Sequence, residues 1–557
     1  MKRSTIIKDE SMAVEHKPKR PASHCQAAIA AVALFSCCAV SAGGAEAAKR
    51  PNIIIIVTDD MGYSDLGCYG GEIPTPNLDR LAKGGMRFTQ FYNNAVCAPT
   101  RASLLTGLDC HRAGQAGNNV NPDDPFWKLY DWPAYHGMKV CETVTLPQIL
   151  RQAGYQTYMA GKWHQGEKDG MRPTHRGFDR YYGTTMGAVN SQFAPGWAEC
   201  RLDDTVITEF PKGFYTTDTF TDYAMRFIEE GDPNRPFFLY LAHTAPHLPW
   251  DARPEDIEKH KGVYNGNWEE IRRKRFERLK ELGLLDAKAE IPPHDRSVER
   301  WQEVPNHKNW DANVARYAAM VDRIDQNIGR LVGLLESRGE LDNTLILYFH
   351  DNGQWAINVG GGTPWAEASN SPFRLFKGTA HEGGIRTPLI AHWPARIPAG
   401  AIQRKQYAHV RDITPTLLEI AGVEPPKKFL GRPVLPMDGH SFLRAFEDPE
   451  AAGNHPIHWE IGGSEAMRDG PWKLVRTAAE SRIENPPIPI GKGTGEWELY
   501  NLDNDPTESK NLAADHPDRV REMAARHQMW ASEVGVVPYE ITEARRQEFI
   551  KASKPKE

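Results

Sequence analysis

The sequence predicts an α/β protein with a large mixed, mostly parallel sheet flanked by helices, followed by a smaller C-terminal antiparallel sheet and a helix. Apolar, β-branched runs such as 52–57 and 344–349 are typical of strands buried on both faces, as in parallel sheets. Apolar residues recur every three or four positions from Asn313 to Arg338, which indicates a long helix with one buried face. Beyond residue 450, short strand-like stretches separated by Gly, Asn and Pro indicate the antiparallel sheet.

Residues 1–47 predict a signal peptide rather than part of the fold. Basic residues precede an apolar run from Ala27 to Val40, and Ala45–Ala47 offers a small-x-small cleavage site. The run is short for a membrane span. We therefore expect an exported protein, periplasmic or secreted, with no membrane span. A lipid anchor at Cys37 is the less favoured alternative, and Met12 is an alternative start.

Composition sets limits on the domains and partners. The 557 residues allow one large domain with a smaller one attached, which we place at 48–450 and 451–557. The highly charged and poorly patterned segment 251–310 is interpreted as an insertion, with no chemistry assigned to its charged helix. A formal net charge of −6, with both signs abundant, argues against a nucleic-acid partner.

The first predicted strand stops at two adjacent carboxylates, Asp59 and Asp60. Alternate residues of a strand point to opposite faces, so two neighbouring acids converge on one site only where the strand ends. The alternative is an Asx turn that caps the next segment. After a turn, a short helix capped by Asn77 is expected before the next strand.

The stretch Cys97–Gly107 reads Cys-Ala-Pro-Thr-Arg-Ala-Ser-Leu-Leu-Thr-Gly. Pro99 suits the first position of a helix, which would place Cys97 just outside the N-terminus, where free N–H groups favour an anion. Arg101 carries a permanent charge and a planar donor fork suited to an oxyanion. The alternative is a buried structural cysteine before an ordinary helix.

Further polar residues follow predicted strands. Lys162 and His164 end the strand that begins near Tyr155, and on extended backbone they face the same side. Later predicted strands lead to His243 and His247, and to Asp351 and Asn352, whereas Lys377 stands in the stretch Phe376–Pro388. Strand ends of an open α/β sheet meet at one edge, so we expect most of these side chains to converge. His243 is expected to be a core or supporting histidine.

These segments together resemble the sulfatase family. Cys97–Gly107 matches its signature C-x-P-x-R-x-x-x-x-T-G at every fixed position, and similar motifs surround Asp59-Asp60, Lys162, His247 and Lys377. The resemblance runs from residue 50 to about 515, apart from 251–310. Two positions depart from the family: Leu108 stands where arginine is common, and His350 stands where serine is usual.

The resemblance implies an alkaline-phosphatase-like fold and a sulfuric ester hydrolase. It implies that a formylglycine-generating maturation enzyme oxidises Cys97 to Cα-formylglycine. It also implies one bound Ca²⁺, and the oxygen-only ligand set suits such a hard cation. The implied ligands are Asp59, Asp60, Asp351, Asn352 and an oxygen of residue 97.

The implied mechanism assigns a role to each remaining residue. A hydroxyl of the hydrated aldehyde attacks sulfur, while Arg101, Lys162 and Lys377 offset the developing charge. His247 protonates the departing alcohol, and His164 then takes a proton so that the aldehyde reforms and expels sulfate.

Two other functions remain open on the sequence: a phosphonate or phosphate ester hydrolase of the same superfamily, and a non-catalytic anion-binding homologue. A sulfated carbohydrate or an aryl sulfate is the expected substrate. Besides Cys97, four cysteines follow the signal peptide and could form disulfides of unreadable connectivity: Cys68, Cys110, Cys141 and Cys200.

Overall fold

The structure is a computed structural model. It describes residues 49–118, 131–138, 142–196, 198–295, 298–304, 306–356, 362–453, 455–478, 482–483, 488–489 and 493–553. The expected signal peptide, with Met12 and Cys37, lies outside these residues, as does Cys141. Within the described part of the chain, no helix combines the length and apolar character that a membrane span needs.

The core of the fold is an 11-stranded sheet in which ten strands run in the order β10-β2-β9-β8-β1-β7-β3-β4-β5-β6, with β11 beside β2. Its strands are β1 Asn52–Thr58, β2 Met86–Tyr92, β3 Gln156–Lys162, β4 Arg180–Thr184, β5 Cys200–Leu202, β6 Thr205–Ile207, β7 Phe237–Ala242, β8 Thr344–His350, β9 Arg386–His392, β10 Ala401–Gln403 and β11 Ala408–His409. The central pairs β8–β1, β1–β7, β7–β3 and β3–β4 are parallel, whereas β9 is antiparallel to both neighbours. The predicted mixed, mostly parallel sheet is confirmed.

Helices cover both faces of this sheet, because each face carries its own apolar cluster. They are α1 Pro76–Gly84, α2 Cys97–Thr106, α3 Cys110–Ala113, α4 Leu146–Gln152, α5 Thr216–Glu230, α6 Pro254–His260, α7 Trp268–Glu281, α8 His307–Ser337, α9 Gly362–Ser369, α10 Glu382–Ile385, α11 Ile413–Ala421 and α12 Arg444–Glu447. The long helix α8 begins six residues before the predicted start, where the side chain of Asn306 accepts the Asn309 N–H at 3.0 Å.

Two local predictions are wrong. Helix α1 begins at Pro76, and Asn77 does not cap it, because its Nδ2 donates to Asp325 on α8 at 2.8 Å. Helix α2 begins at Cys97 itself rather than at Pro99, which occupies its third position. Proline is tolerated in a first turn because its missing N–H would have no partner within the helix.

The C-terminal part forms the predicted antiparallel sheet. Strands β14 Ile457–Ile461, β15 Ser464–Asp469, β16 Trp472–Thr477 and β19 Glu498–Asn501 pair in that order. Two-stranded pairs are formed by β12 Lys428–Phe429 with β13 Arg432–Pro433, and by β17 Arg482–Ile483 with β18 Ile488–Pro489. Helix α13, Pro517–Val534, was expected, whereas α14, Tyr539–Ser553, was not.

The small sheet shares an apolar cluster with the main sheet, in which Trp459 packs near Tyr92. Arg50–Glu557 forms one compact unit, and the division near residue 450 stays a prediction. Of the cysteines that were expected to pair, Cys68, Cys110 and Cys200 are free and buried.

Candidate active site

The predicted acidic residues lie at the ends of two neighbouring parallel strands. Asp59 and Asp60 follow β1, Asp351 and Asn352 follow β8, and the two strands are paired up to Thr58 and His350. Asp60 adopts a left-handed backbone with φ of 59°, which turns the chain so that adjacent carboxylates reach one site. The amide of Asn352 donates to Asp60 Oδ1 at 2.7 Å.

Three buried cations contact these carboxylates. Arg101 donates to Asp351 Oδ2, Lys162 at the end of β3 contacts Asp59 Oδ2, and Lys377 Nζ lies 2.8 Å from Asp60 Oδ1. Each ammonium or guanidinium side chain is fully buried. The predicted convergence of Arg101, Lys162 and Lys377 on the acidic residues is therefore present in the fold.

The carboxylates respond differently to this surrounding charge. Burial acts to raise the pKa of Asp59, but the neighbouring positive charges together, that of Lys162 first, outweigh it and the pKa is lowered. Burial and the neighbouring charge of Asp59 raise the pKa of Asp351 despite the guanidinium of Arg101. The charge of Asp59 thus opposes ionisation of Asp351, and an additional cation would relieve this repulsion.

Cys97 lies against this group at the first position of α2. Its Sγ and carboxylate oxygens of Asp59 and Asp351 all lie within 4.8 Å of one another. Burial raises the pKa of the Cys97 thiol to about 12, even though Lys162 and Lys377 favour the thiolate. The unmodified side chain is therefore a neutral thiol at ordinary pH and a weak nucleophile.

The two predicted catalytic histidines approach from different strands. His247 follows β7, its Nε2 lies 3.5 Å from Asp60 Oδ2, and its Nδ1 donates to the Leu248 carbonyl at 2.7 Å. His164 lies two residues beyond β3, and its Nε2 is 3.1 Å from the Asn118 carbonyl. Burial, followed by the charges of Lys162 and Arg101, holds the pKa of His164 well below its usual range.

His243 is enclosed at the end of β7, in keeping with the expected core histidine. Its side chain is fully buried, and neither ring nitrogen has a hydrogen-bond partner within the described residues. Burial lowers its pKa to about 4. His350, the departure from serine, donates through Nδ1 to the Met61 carbonyl at 2.9 Å and so supports the turn after Asp60.

Sequence reasoning missed several supporting residues. Tyr240 on β7 accepts from Arg101 Nη1 at 3.2 Å, and the Trp355 ring lies 5.3 Å from His247 and 4.4 Å from Lys377 Nζ. The alternation of β7 could have placed Tyr240 on the face toward α2. Trp355 could not be identified from the sequence, because it stands in a loop that has no hydrophobic periodicity.

Arg275 was missed for a different reason. It belongs to the basic run on α7, to which no chemistry was assigned, and its side chain is 1% exposed. Nη1 donates to Asp65 at 2.6 Å, while Nε and Nη2 donate to Glu72 at 2.7 Å each. Asp65 in turn accepts the Gly62 N–H at 2.8 Å, so this arginine supports the loop that carries Asp59 and Asp60.

The sequence also matches a model of a known protein family, described as Sulfatase, over residues 51–423. The chain belongs to the sulfatase family. As a sulfatase, it is a sulfuric ester hydrolase. The family model ends before the small C-terminal sheet and includes every residue of the site described above.

Individual sulfatases are similar over most of the chain. An uncharacterized sulfatase of Schizosaccharomyces pombe is 34% identical over 542 residues, covering 88% of this chain and 95% of that protein. An arylsulfatase of Klebsiella aerogenes is 35% identical over 445 residues, covering 72% and 94%. The crystal structure of Ps i-CgsB in complex with k-i-k-neocarrahexaose is 26% identical, with a TM-score of 0.65, covering 87% and 93%.

Proposed function

We propose that this sulfatase releases inorganic sulfate from a sulfated carbohydrate, using a Cα-formylglycine made from Cys97 and one bound Ca²⁺. The observation that carries the proposal is the arrangement of buried cations and unsatisfied oxygens around residue 97. We also propose that the chain is exported after loss of residues 1–47, and that a formylglycine-generating enzyme matures it.

The oxygen atoms available to Ca²⁺ support this metal. Asp59 Oδ1, Asp60 Oδ2 and Asn352 Oδ1 are buried and have no hydrogen-bond partner among the described residues. Orphaned buried acceptors are costly unless a cation or a donor meets them. Ca²⁺ tolerates such an irregular oxygen set better than Mg²⁺, with Asp351 and residue 97 completing it. When bound, it would withdraw charge from a sulfate oxygen as a Lewis acid.

The environment of Cys97 supports its conversion. A thiol with a pKa near 12 provides almost no thiolate at neutral pH, so unmodified cysteine is poorly suited to nucleophilic attack there. The hydrated aldehyde would supply a hydroxyl nucleophile in its place. Three cations contact the carboxylates beside residue 97: Arg101, Lys162 and Lys377. Their positive charges would offset the negative charge that develops on the sulfate oxygens.

His247 is the proposed proton donor to the leaving alcohol. Its Nδ1 donates to the Leu248 carbonyl, which fixes the ring and leaves Nε2 directed toward Asp60, inside the site. As the acid, Nε2 would carry the proton that passes to the ester oxygen. Trp355 beside it offers an aromatic face on which a sugar ring or an aryl group could pack.

His164 is the proposed proton acceptor at residue 97. Its Nε2 faces a carbonyl oxygen and must carry the hydrogen, so the lone pair belongs to Nδ1. Nδ1 is buried and has no partner within the described residues. Because the pKa of this ring is well below its usual range, the lone pair is available at neutral pH.

Three measurements test the proposal. Intact mass should show a loss of about 18 Da at the Cys97 peptide, the difference between cysteine and formylglycine. Free sulfate should be released from members of a panel of sulfated sugars, assayed by ion chromatography. Nitrophenyl sulfate should be cleaved faster than a nitrophenyl phosphonate ester. An unmodified Cys97 in an active enzyme, or a preference for the phosphonate, would contradict the proposal.

A further inference from the structure

A second group of metal-ligating side chains lies outside the active site. Asp412, His440 and His455 each offer one ligand atom, and these three atoms lie within 4.8 Å of one another. They come from separate segments: Asp412 immediately precedes α11, His440 lies in the loop before α12, and His455 precedes β14. The proposed Ca²⁺ site contains none of these residues.

The spacing of two of these atoms is compatible with ligands of one metal ion. His455 Nε2 lies 3.4 Å from Asp412 Oδ2, and this buried nitrogen has no hydrogen-bond partner within the described chain. Two ligands at about 2.0–2.1 Å from a tetrahedral ion stand roughly 3.4 Å apart. The observed separation is compatible with two ligands of one ion.

The imidazole rings of His440 and His455 lie next to each other, near the carboxylate of Asp412. The ring centroids of His440 and His455 are 4.5 Å apart, and their planes are inclined by 34°. Each ring contributes one nitrogen atom to the same group of three ligand atoms.

The carboxylate of Asp412 is held in place for a third bond. Its Oδ1 accepts a hydrogen bond from the backbone N–H of His440 at 2.9 Å, and its Oδ2 accepts one from the backbone N–H of His409 at 2.7 Å. A carboxylate offers about four lone-pair sites, so these bonds leave room for an ion. A site whose ligands are already oriented loses less entropy when it binds.

The neighbouring cation is directed elsewhere. Arg411 Nη2 donates to the Pro456 carbonyl at 3.2 Å, and Nη1 lies 3.7 Å from the Asp109 carboxylate. Arg411 therefore makes its contacts with other groups, and it donates no hydrogen bond to the Asp412 carboxylate among the described residues.

We propose that Asp412, His440 and His455 bind one Zn²⁺ ion. Two imidazole nitrogens and one carboxylate are ligands of zinc and similar transition ions, whereas Ca²⁺ takes oxygen ligands. His440 is exposed, so solvent can reach the fourth position. The ion joins the segment before α11 to the segment entering the C-terminal sheet, and it stabilises the folded protein because the unfolded chain lacks the assembled site.

The test uses the full-length protein saturated with Ca²⁺, so that the oxygen site is occupied. Zn²⁺ is titrated against a chromophoric chelator, and the melting temperature is measured with and without Zn²⁺. We expect one tightly bound Zn²⁺ per chain and a rise in melting temperature. His440→Ala and His455→Ala should each weaken Zn²⁺ binding by about 10-fold or more and reduce that rise.

The matched control is His136→Ala, which removes a histidine whose side chain is 41% exposed. It should bind Zn²⁺ as the unaltered protein does. Co²⁺ in place of Zn²⁺ should give the visible absorption of a tetrahedral nitrogen and oxygen site, lost in His440→Ala. The proposal is overturned if the double variant His440→Ala/His455→Ala keeps the Zn²⁺ affinity and the rise in melting temperature, or if the unaltered protein binds no Zn²⁺.

Discussion

Arg101 donates two hydrogen bonds to a single carboxylate oxygen of Asp351, from Nη2 at 2.8 Å and from Nε at 3.1 Å. A third donor, Nη1, reaches the Lys162 carbonyl at 2.9 Å. The guanidinium therefore joins α2, which begins at residue 97, to the ends of β8 and β3. Its positive charge faces the acidic group, and its fork determines where Asp351 stands.

Replacing Arg101 by Lys should damage catalysis although the charge is kept. An ammonium cannot reproduce the planar fork, so Asp351 and the Lys162 carbonyl lose donors in a fully buried site. We expect kcat/KM for nitrophenyl sulfate to fall by about 10²-fold, comparable to the loss of one oxyanion donor. Arg80→Lys is the control, because Arg80 is 52% exposed, and it should change kcat/KM less than twofold.

Cys97→Ser should bind a sulfate ester and fail to turn it over repeatedly. Serine preserves the size of the side chain but leaves no second hydroxyl on the same carbon, so His164 has no proton to remove that would expel sulfate. Steady-state release of nitrophenol should drop below detection, while a sulfated ligand still raises the melting temperature. Normal multiple turnover by this variant would refute the assigned role of residue 97.

Removing the metal should abolish activity and lower stability. With the ion chelated, Asp59 Oδ1, Asp60 Oδ2 and Asn352 Oδ1 remain buried without partners. Ca²⁺ at 100 times its dissociation constant should stabilise the folded protein by about 2.7 kcal/mol. Asn352→Ala should require more Ca²⁺ for the same rise in melting temperature. An unchanged Ca²⁺ dependence in this variant would remove Asn352 from the ligand set.

Arg275→Leu should destabilise the protein strongly. The substitution leaves the buried carboxylate of Asp65 without its arginine partner. Breaking a buried ion pair in this way lowers the free energy of unfolding by about 3–5 kcal/mol. Urea unfolding measures the change. Lys274→Leu on the same helix is the matched control, since Lys274 is 70% exposed and lies 3.7 Å from Glu270. It should cost about 0.5 kcal/mol or less. Equal effects of the two variants would show that Arg275 does not support the loop.

His243 should make the protein less stable in acid. The unfolded residue titrates near its ordinary value of 6.5, whereas the folded residue has a pKa of about 4. Between these values only the unfolded chain binds the proton, so stability is full above pH 6.5 and is lost as the pH falls toward 4. The slope from one such group reaches about 1.4 kcal/mol per pH unit.

His243→Leu should therefore flatten the pH dependence of the unfolding free energy between pH 6.5 and 4. Urea titrations at several pH values give the slope, and His136→Gln at an exposed position provides the control. If both variants keep the slope of the unaltered protein, His243 does not account for acid destabilisation.

The sequence predicted the parts of the site that follow from strands. Buried runs such as β1 and β8 are continuous and end at charged residues, so Asp59, Asp60, Asp351 and Asn352 could be placed at one edge of the sheet. The predicted fold is confirmed for the same reason. Periodicity identifies long elements well, and their ends carry the chemistry.

The remaining features depend on contacts between distant segments. Nothing within the charged run of α7 distinguishes buried Arg275 from exposed Lys274, because the distinction comes from Asp65 and Glu72 some 200 residues earlier. The tautomer of His164 likewise depends on the carbonyl of Asn118. The start of α2 was wrong by two residues because proline is acceptable at several positions of a first turn.

The side chain of Cys97 has a further consequence for how an active molecule is made. Only 2% of this residue is exposed, and its Sγ lies within 4.8 Å of carboxylate oxygens of Asp59 and Asp351. In the folded protein, a maturation enzyme could not bring its active site into contact with a thiol that is buried in this way. If Cys97 is converted as proposed, its burial in the folded protein places that conversion before folding. The fraction of active enzyme would then depend on the rate of Cys97 conversion relative to the rate of folding during synthesis.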